Sequence, residues 1–137
     1  MILKILIGNL HRLLMIKDQF NINVLSDDPM FCTRFATECN KFGFSLNFFD
    51  KADISNKSNH LFGDFLSVAV VDIDTNNLDI AKLIKKTLKI PVFGVYTKYS
   101  KSMQSKAKKN DFDLVFTKSL LLNSIKRIIV HIANEKK

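Results

Sequence analysis

Apolar residues in this chain alternate between two patterns. Short dense runs are separated by longer stretches in which apolar positions recur every three or four residues. Ile22–Ser26, Phe44–Phe49, Leu66–Ile73, Ile90–Tyr96 and Phe112–Thr117 are runs of the first kind. Runs of this length, bounded by polar residues, predict buried strands. The stretches between them read as helices. Pro29–Phe42 places Cys32, Phe35, Ala36, Cys39 and Phe42 on one face, with Asp28 as N-cap, Pro29 in the first turn and Gly43 as the stop. A polar stretch after Phe49 leads to a poor helix near Asn59–Phe65. Leu78–Leu88 turns Ile80, Leu83, Ile84 and Leu88 inward, and Lys101–Asn110 is a polar helix anchored by Met103 and Ala107. A last helix, capped by Ser119, carries Leu121, Leu122, Ile125, Ile128, Ile129 and Ile132.

Five strands and five helices in strict alternation imply an α/β domain, a parallel sheet with helices on both faces. At this size the expected architecture is a flavodoxin-like doubly wound five-stranded sheet, order 2-1-3-4-5, with an extra N-terminal helix. Residues 21–137 form the domain and residues 1–20 the added segment, an amphipathic helix with Ile2, Leu3, Leu6, Ile7, Leu10, Leu13 and Leu14 on one stripe. That stripe docks on the domain, pairs with another chain or lies on a membrane. Alternatively, translation starts at Met15. The interrupted apolar stretch does not read as a secretory signal. No uninterrupted apolar run of about 18 residues is present, so no transmembrane segment is expected. Cys32 and Cys39, two helical turns apart, read as reduced core residues of a cytoplasmic protein. The three histidines have no ligand-like spacing.

The formal net charge is +8, and its placement is uneven. Residues 1–97 carry a net +1 and residues 98–137 a net +7. Such an asymmetry fits an acidic protein partner, nucleic acid or an anionic membrane, or only the solvated surface of a lysine-rich protein.

Charge also marks three strand ends. Ile22–Ser26 runs into Asp27-Asp28, Val68–Val71 into Asp72, and Leu114–Thr117 into Lys118. In the order 2-1-3-4-5 the first strand lies beside the third, and ligands gather at the carboxyl ends of the strands. Clustered carboxylates need a cation or a proton between them, and Mg²⁺ prefers such hard oxygen ligands. The alternative is that each Asp merely caps the turn or helix that follows. Asp74 is expected to contribute its backbone at most, and Tyr96 to be a packed aromatic. No Gly-rich phosphate loop and no Ser-His-Asp or Cys-His order stands out.

These residues resemble a response-regulator receiver domain over residues 21–135. The motifs are Asn23-Val24-Leu25-Ser26-Asp27-Asp28, Val68-Ala69-Val70-Val71-Asp72-Ile73-Asp74 and Leu114-Val115-Phe116-Thr117-Lys118, at the family's usual spacing. The resemblance implies that Asp72 accepts a phosphoryl group from a histidine kinase or phosphotransfer protein. It implies Mg²⁺ held by Asp27, Asp28, Asp72 and the backbone carbonyl of Asp74, with Lys118 paired to Asp72 or its phosphoryl group. The domain would be a signalling module and not an enzyme, beyond its own phosphorylation and dephosphorylation. Output contacts would fall on the fourth helix and its neighbours, here Lys98, Lys101, Lys106, Lys108, Lys109, Lys126 and Arg127. Their partner is an acidic protein, with a homodimer as an alternative and nucleic acid ranked behind.

Four departures accompany the likeness. Tyr96 stands where the family has Thr or Ser, and Thr97 follows it. A one-residue shift reverses side-chain direction, so Thr97, the second candidate, is not assumed to reach the phosphoryl group unless the strand end bulges. Val115 replaces the switch aromatic, and Ser119 replaces the proline after the lysine. The Met-Pro and Asp-Gly elements after the acceptor are absent. A degenerate receiver acting as a phosphorylation-independent scaffold is therefore the second reading. A nucleic-acid-associated protein and a metal-dependent phosphohydrolase are others.

Overall fold

In a computed structural model of the chain, residues 21–55, 67–74 and 77–135 are described. The strands are β1 (Asn21–Leu25), β2 (Ser45–Phe48), β3 (Ser67–Asp72), β4 (Val92–Tyr96) and β5 (Leu114–Thr117). They pair as one parallel sheet in the order β2-β1-β3-β4-β5, the order expected from the sequence. The helices are α1 (Pro29–Lys41), α2 (Lys51–Ser55), α3 (Ile80–Leu88), α4 (Lys101–Lys109) and α5 (Lys118–Glu135). The added helix expected at residues 1–20 and the helix expected near Asn59–Phe65 lie outside the described residues.

Both faces of the sheet are covered, because the central strand is apolar on both sides. All six residues of β3 are buried. Val68 and Val70 face α1 and α5 together with Ile22, Val24, Phe35, Phe93 and Leu121. Ala69 and Val71 face the other layer, with Ile54, Ile80, Ile84, Tyr96, Ala107 and Phe112. Gly43 ends α1 at φ 72°, a conformation that costs glycine no Cβ clash.

Local chemistry departs from the sequence reading in three places. Helix α2 stands where only a polar stretch was expected. Its start is a reciprocal cap: Asp50 N–H donates to Asp53 Oδ2 at 2.9 Å and Asp53 N–H to Asp50 Oδ1 at 3.2 Å. Buried Ile54 anchors it. Helix α5 begins at Lys118, and its cap is Thr117 and not Ser119: Leu120 N–H donates to Thr117 Oγ1 at 3.2 Å. Leu83, placed on the inner stripe of α3, is 39% exposed, because Ala81 takes a place in the core. Among the described residues no helix is long and apolar enough to cross a membrane.

Candidate functional site

The register of β1 on β3 pairs Leu25 with Val71. The next residues, Ser26 just after β1 and Asp72 at the end of β3, therefore lie side by side. Ser26 Oγ donates to Asp72 Oδ2 at 2.7 Å and accepts from Asp28 N–H at 3.1 Å. Asp72 is 2% exposed. A carboxylate that deep needs a cation or a dense set of hydrogen bonds. It has both. Lys118 Nζ lies 2.9 Å from Asp72 Oδ2, and Asp74 N–H donates to Asp72 Oδ1 at 3.0 Å. Asn77 Nδ2 fastens the turn by donating to the Asp72 carbonyl at 2.8 Å.

Lys118 draws in two further carboxylates, Asp28 Oδ2 at 3.0 Å and Asp74 Oδ2 at 2.9 Å. Its Nζ also sits 5.5 Å from the Phe31 ring centroid, so α1 supplies both an anion and an aromatic face to one ammonium. Asp28 serves two ends. Its Oδ1 caps α1 through Phe31 N–H at 3.2 Å while its Oδ2 holds the lysine. Capping and site membership are thus not exclusive at this residue.

Asp74 is held from the far side by Thr97. Thr97 N–H donates to Asp74 Oδ1 and Oδ2 at 3.0 and 3.1 Å, and the Thr97 hydroxyl donates to Oδ2. Strand alternation explains how Thr97 arrives there. Phe93 and Val95 pack on the α1–α5 layer, and Val92 and Tyr96 on the opposite one. Thr97, one residue on, returns to the layer of Asp72. Thr97 reaches Asp74, and Tyr96, at the family's usual position, packs in the opposite layer. Tyr96 is buried, and its hydroxyl has no hydrogen-bond partner among the described residues.

Comparison of the sequence with protein-family models and with curated proteins found no match. Solved structures do match. A response-regulator receiver domain from Rhodospirillum rubrum superposes with a TM-score of 0.64 at 16% identity, covering 82% of this chain and 93% of that one. The signal receiver domain of NarL from Mycobacterium tuberculosis gives 0.65 at 14% identity, covering 85% and 96%. The signal receiver domain of a DNA-binding response regulator from Colwellia psychrerythraea gives 0.61 at 20% identity, covering 80% and 98%. The chain has the receiver-domain fold.

Within this receiver fold the sequence-named residues divide. Asp28, Asp72 and Lys118 meet as expected. Asp27 does not join them; it is exposed and makes none of the cluster's bonds. Asp74 enters with its side chain, where only its backbone was expected. Ser26 was missed. A hydroxyl ending an apolar run carries no sequence signal until the β1–β3 register sets it against Asp72. Hard carboxylate oxygens suit Mg²⁺ by type. In this arrangement, though, they converge on an ammonium. Among the described residues no three His, Cys, Asp or Glu side chains are placed to hold a metal ion.

The electrostatics follow from that ammonium. The Lys118 hydrogen bond, followed by Phe31 N–H, holds the Asp28 carboxyl below its usual range. Burial would raise Asp74, but the hydrogen bonds from Thr97 and Lys118 outweigh it and leave the group low. Burial alone would lower Lys118, whereas its bonds to Asp72, Asp74 and Asp28 carry it well above the ordinary lysine value.

The basic residues are all exposed, yet they do not share one face. Lys101, Lys106, Lys108 and Lys109 belong to α4, with Lys98 just before it. Lys126 Nζ instead lies 5.8 Å from the Phe42 ring centroid. With Arg127 it lines a groove of about 390 Å³ between α1 and α5, where Ser124 (φ −128°, ψ 16°) breaks the helical conformation.

Proposed function

We propose that this chain is a receiver-type signalling module in which Asp72 accepts a phosphoryl group and Lys118 neutralises it. The observation that carries this reading is the 2.9 Å pairing of Lys118 with a buried Asp72 at the carboxyl end of the central strand. Phosphoryl transfer depends mainly on positioning and charge neutralisation, which such an arrangement supplies. With a phosphohistidine donor, an Asp72 Oδ–P bond forms as the P–N bond breaks, and the released imidazole takes its proton from water. Asp72 reacts as the carboxylate, so no base is required. The proposed donor is a histidine kinase or phosphotransfer protein, and a cytoplasmic location belongs to the same reading. In this arrangement Lys118 Nζ supplies the positive charge beside Asp28, Asp72 and Asp74.

The output surface in this reading is α4. Its exposed lysines favour an acidic protein partner, with association slowing as salt screens them. Reversal of Lys101, Lys106 and Lys109 to Glu should abolish that association. Recovery of the same partner by the triple variant would move the output surface elsewhere.

A second reading is favoured by two observations. Asp72 is 2% exposed, and the β4 position of the family's hydroxyl is filled by Tyr96, buried in the opposite layer. Both suit a receiver that acts as a scaffold without phosphorylation. Incubation with acetyl phosphate, with and without Mg²⁺, followed by intact mass decides between them. A gain of one phosphoryl group that disappears in Asp72→Asn supports the first reading. An unmodified mass under both conditions supports the scaffold.

A further inference from the structure

Asp74 is the least expected member of the cluster. Its backbone N–H donates to Asp72, while its carboxylate bridges two other elements: Thr97 after β4 and Lys118 at the start of α5. The donors it occupies are a backbone N–H, a hydroxyl and an ammonium, all aimed at one carboxylate. This is the donor set that a tetrahedral oxyanion would need. Burial shows how the groups are layered. The Asp72 side chain is 2% exposed, Lys118 10% and Asp74 32%, so Asp74 lies on the solvent side of the pair.

We propose that the Asp74 carboxylate is an internal occupant of an oxyanion receptor formed by Thr97 N–H, the Thr97 hydroxyl and Lys118 Nζ, and that it must leave before an external phosphoryl group binds there. The carboxylate and the incoming group are both anions whose oxygens seek the same donors. They exclude one another by charge as well as by space. Asp74 therefore keeps the receptor assembled in the resting protein while opposing its use. The gating of Asp72 rests on the phosphoacceptor reading above; the receptor and its occupant do not.

The test separates the two. Inorganic phosphate is titrated into the full chain, and into Asp74→Ala and Asp74→Asn, with binding read from the Thr97 amide and Lys118 Nζ by NMR. Both variants should bind phosphate about tenfold or more tightly than the unaltered protein, the change equivalent to about 1.4 kcal/mol. In the unaltered chain, phosphate near its solubility limit should move the Asp74 carboxyl carbon and the Thr97 amide together, which tests the proposal even if a variant does not fold. Parallel incubation with acetyl phosphate should give faster Asp72 labelling in both variants. Tighter phosphate binding with no labelling in any form upholds the receptor and overturns the Asp72 reading. Labelling that is equal in all three forms, with unchanged phosphate affinity, upholds Asp72 and overturns the proposal. Thr97 and Asp74 signals that move independently in the unaltered chain overturn it as well.

Discussion

Lys118→Met removes the ammonium that, among the described residues, faces Asp28, Asp72 and Asp74, while keeping an unbranched apolar stem. The magnitude comes mainly from Asp72. At a separation of 2.9 Å the attraction is roughly 5–6 kcal/mol for an effective dielectric of about 20, before desolvation is subtracted. Removing one partner of a buried pair typically costs about 3–5 kcal/mol, because the other charge is left without compensation. The Asp28 and Asp74 side chains are 36% and 32% exposed, and solvent screening limits each of those contacts to about 0–1 kcal/mol. We therefore expect a loss of about 3–5 kcal/mol. Asp72→Asn should cost much less, about 1.5 kcal/mol at most, since Lys118 keeps two carboxylates and one like charge is gone. Urea unfolding followed by circular dichroism measures both. With a slope of about 2 kcal/mol/M, Lys118→Met should lower the midpoint by roughly 1.5–2.5 M.

The same substitution should change how stability depends on pH. Asp28 and Asp74 have folded pKa values below their unfolded ones, so their contribution is present at neutral pH and is lost as pH falls through the lowered values. Lys118→Met lacks that contribution, and its deficit should shrink as the pH drops below about 4. Lys118 itself is raised, so its contribution is complete below about pH 10.5 and is lost as pH climbs through the raised value. Equal costs for Lys118→Met and Asp72→Asn, or a deficit that does not change with pH, would refute this account of the cluster.

Other substitutions test separate parts of the structure. Tyr96→Phe removes a buried hydroxyl with no partner among the described residues and should stabilise the fold by about 1 kcal/mol in thermal unfolding; a loss of stability would mean the hydroxyl is bonded. Thr117→Ala should cost about 0.5–2 kcal/mol through the lost α5 cap, and Ser119→Ala almost nothing; a reversed order would restore Ser119 as the cap. The Cys39 thiol is pushed up to about 12 by burial, so a disulfide reagent at pH 8 should modify Cys32 first and Cys39 only as the protein unfolds. Equal modification rates, read by intact mass, would contradict that burial.

Much of this protein was already determined by local pattern. Short dense apolar runs and period-3.6 apolar spacing set the order of strands and helices, since each element must bury one face or both. The strict alternation then left the parallel, doubly wound sheet as the economical solution. Asp28, Asp72 and Lys118 were legible because each ends an apolar run, and the topology sends such ends to one edge. The helix that begins at Lys51 was not revealed by the apolar pattern, because its start rests on the reciprocal cap between Asp50 and Asp53.

What only the tertiary structure decided are the contacts that depend on register and side-chain direction across strands. Ser26 meets Asp72 because β1 and β3 pair Leu25 with Val71, a fact no local window contains. Asp74 became a site residue because Thr97, and not Tyr96, turns toward it from β4. Asp27 and Asp28 are adjacent and chemically identical in sequence, and only the start of α1 selects Asp28, whose Oδ1 caps the helix and thereby aims Oδ2 at Lys118. The division of the basic residues between α4 and the α1–α5 groove was equally hidden, because net charge along a sequence is a sum and a binding surface is an arrangement in space.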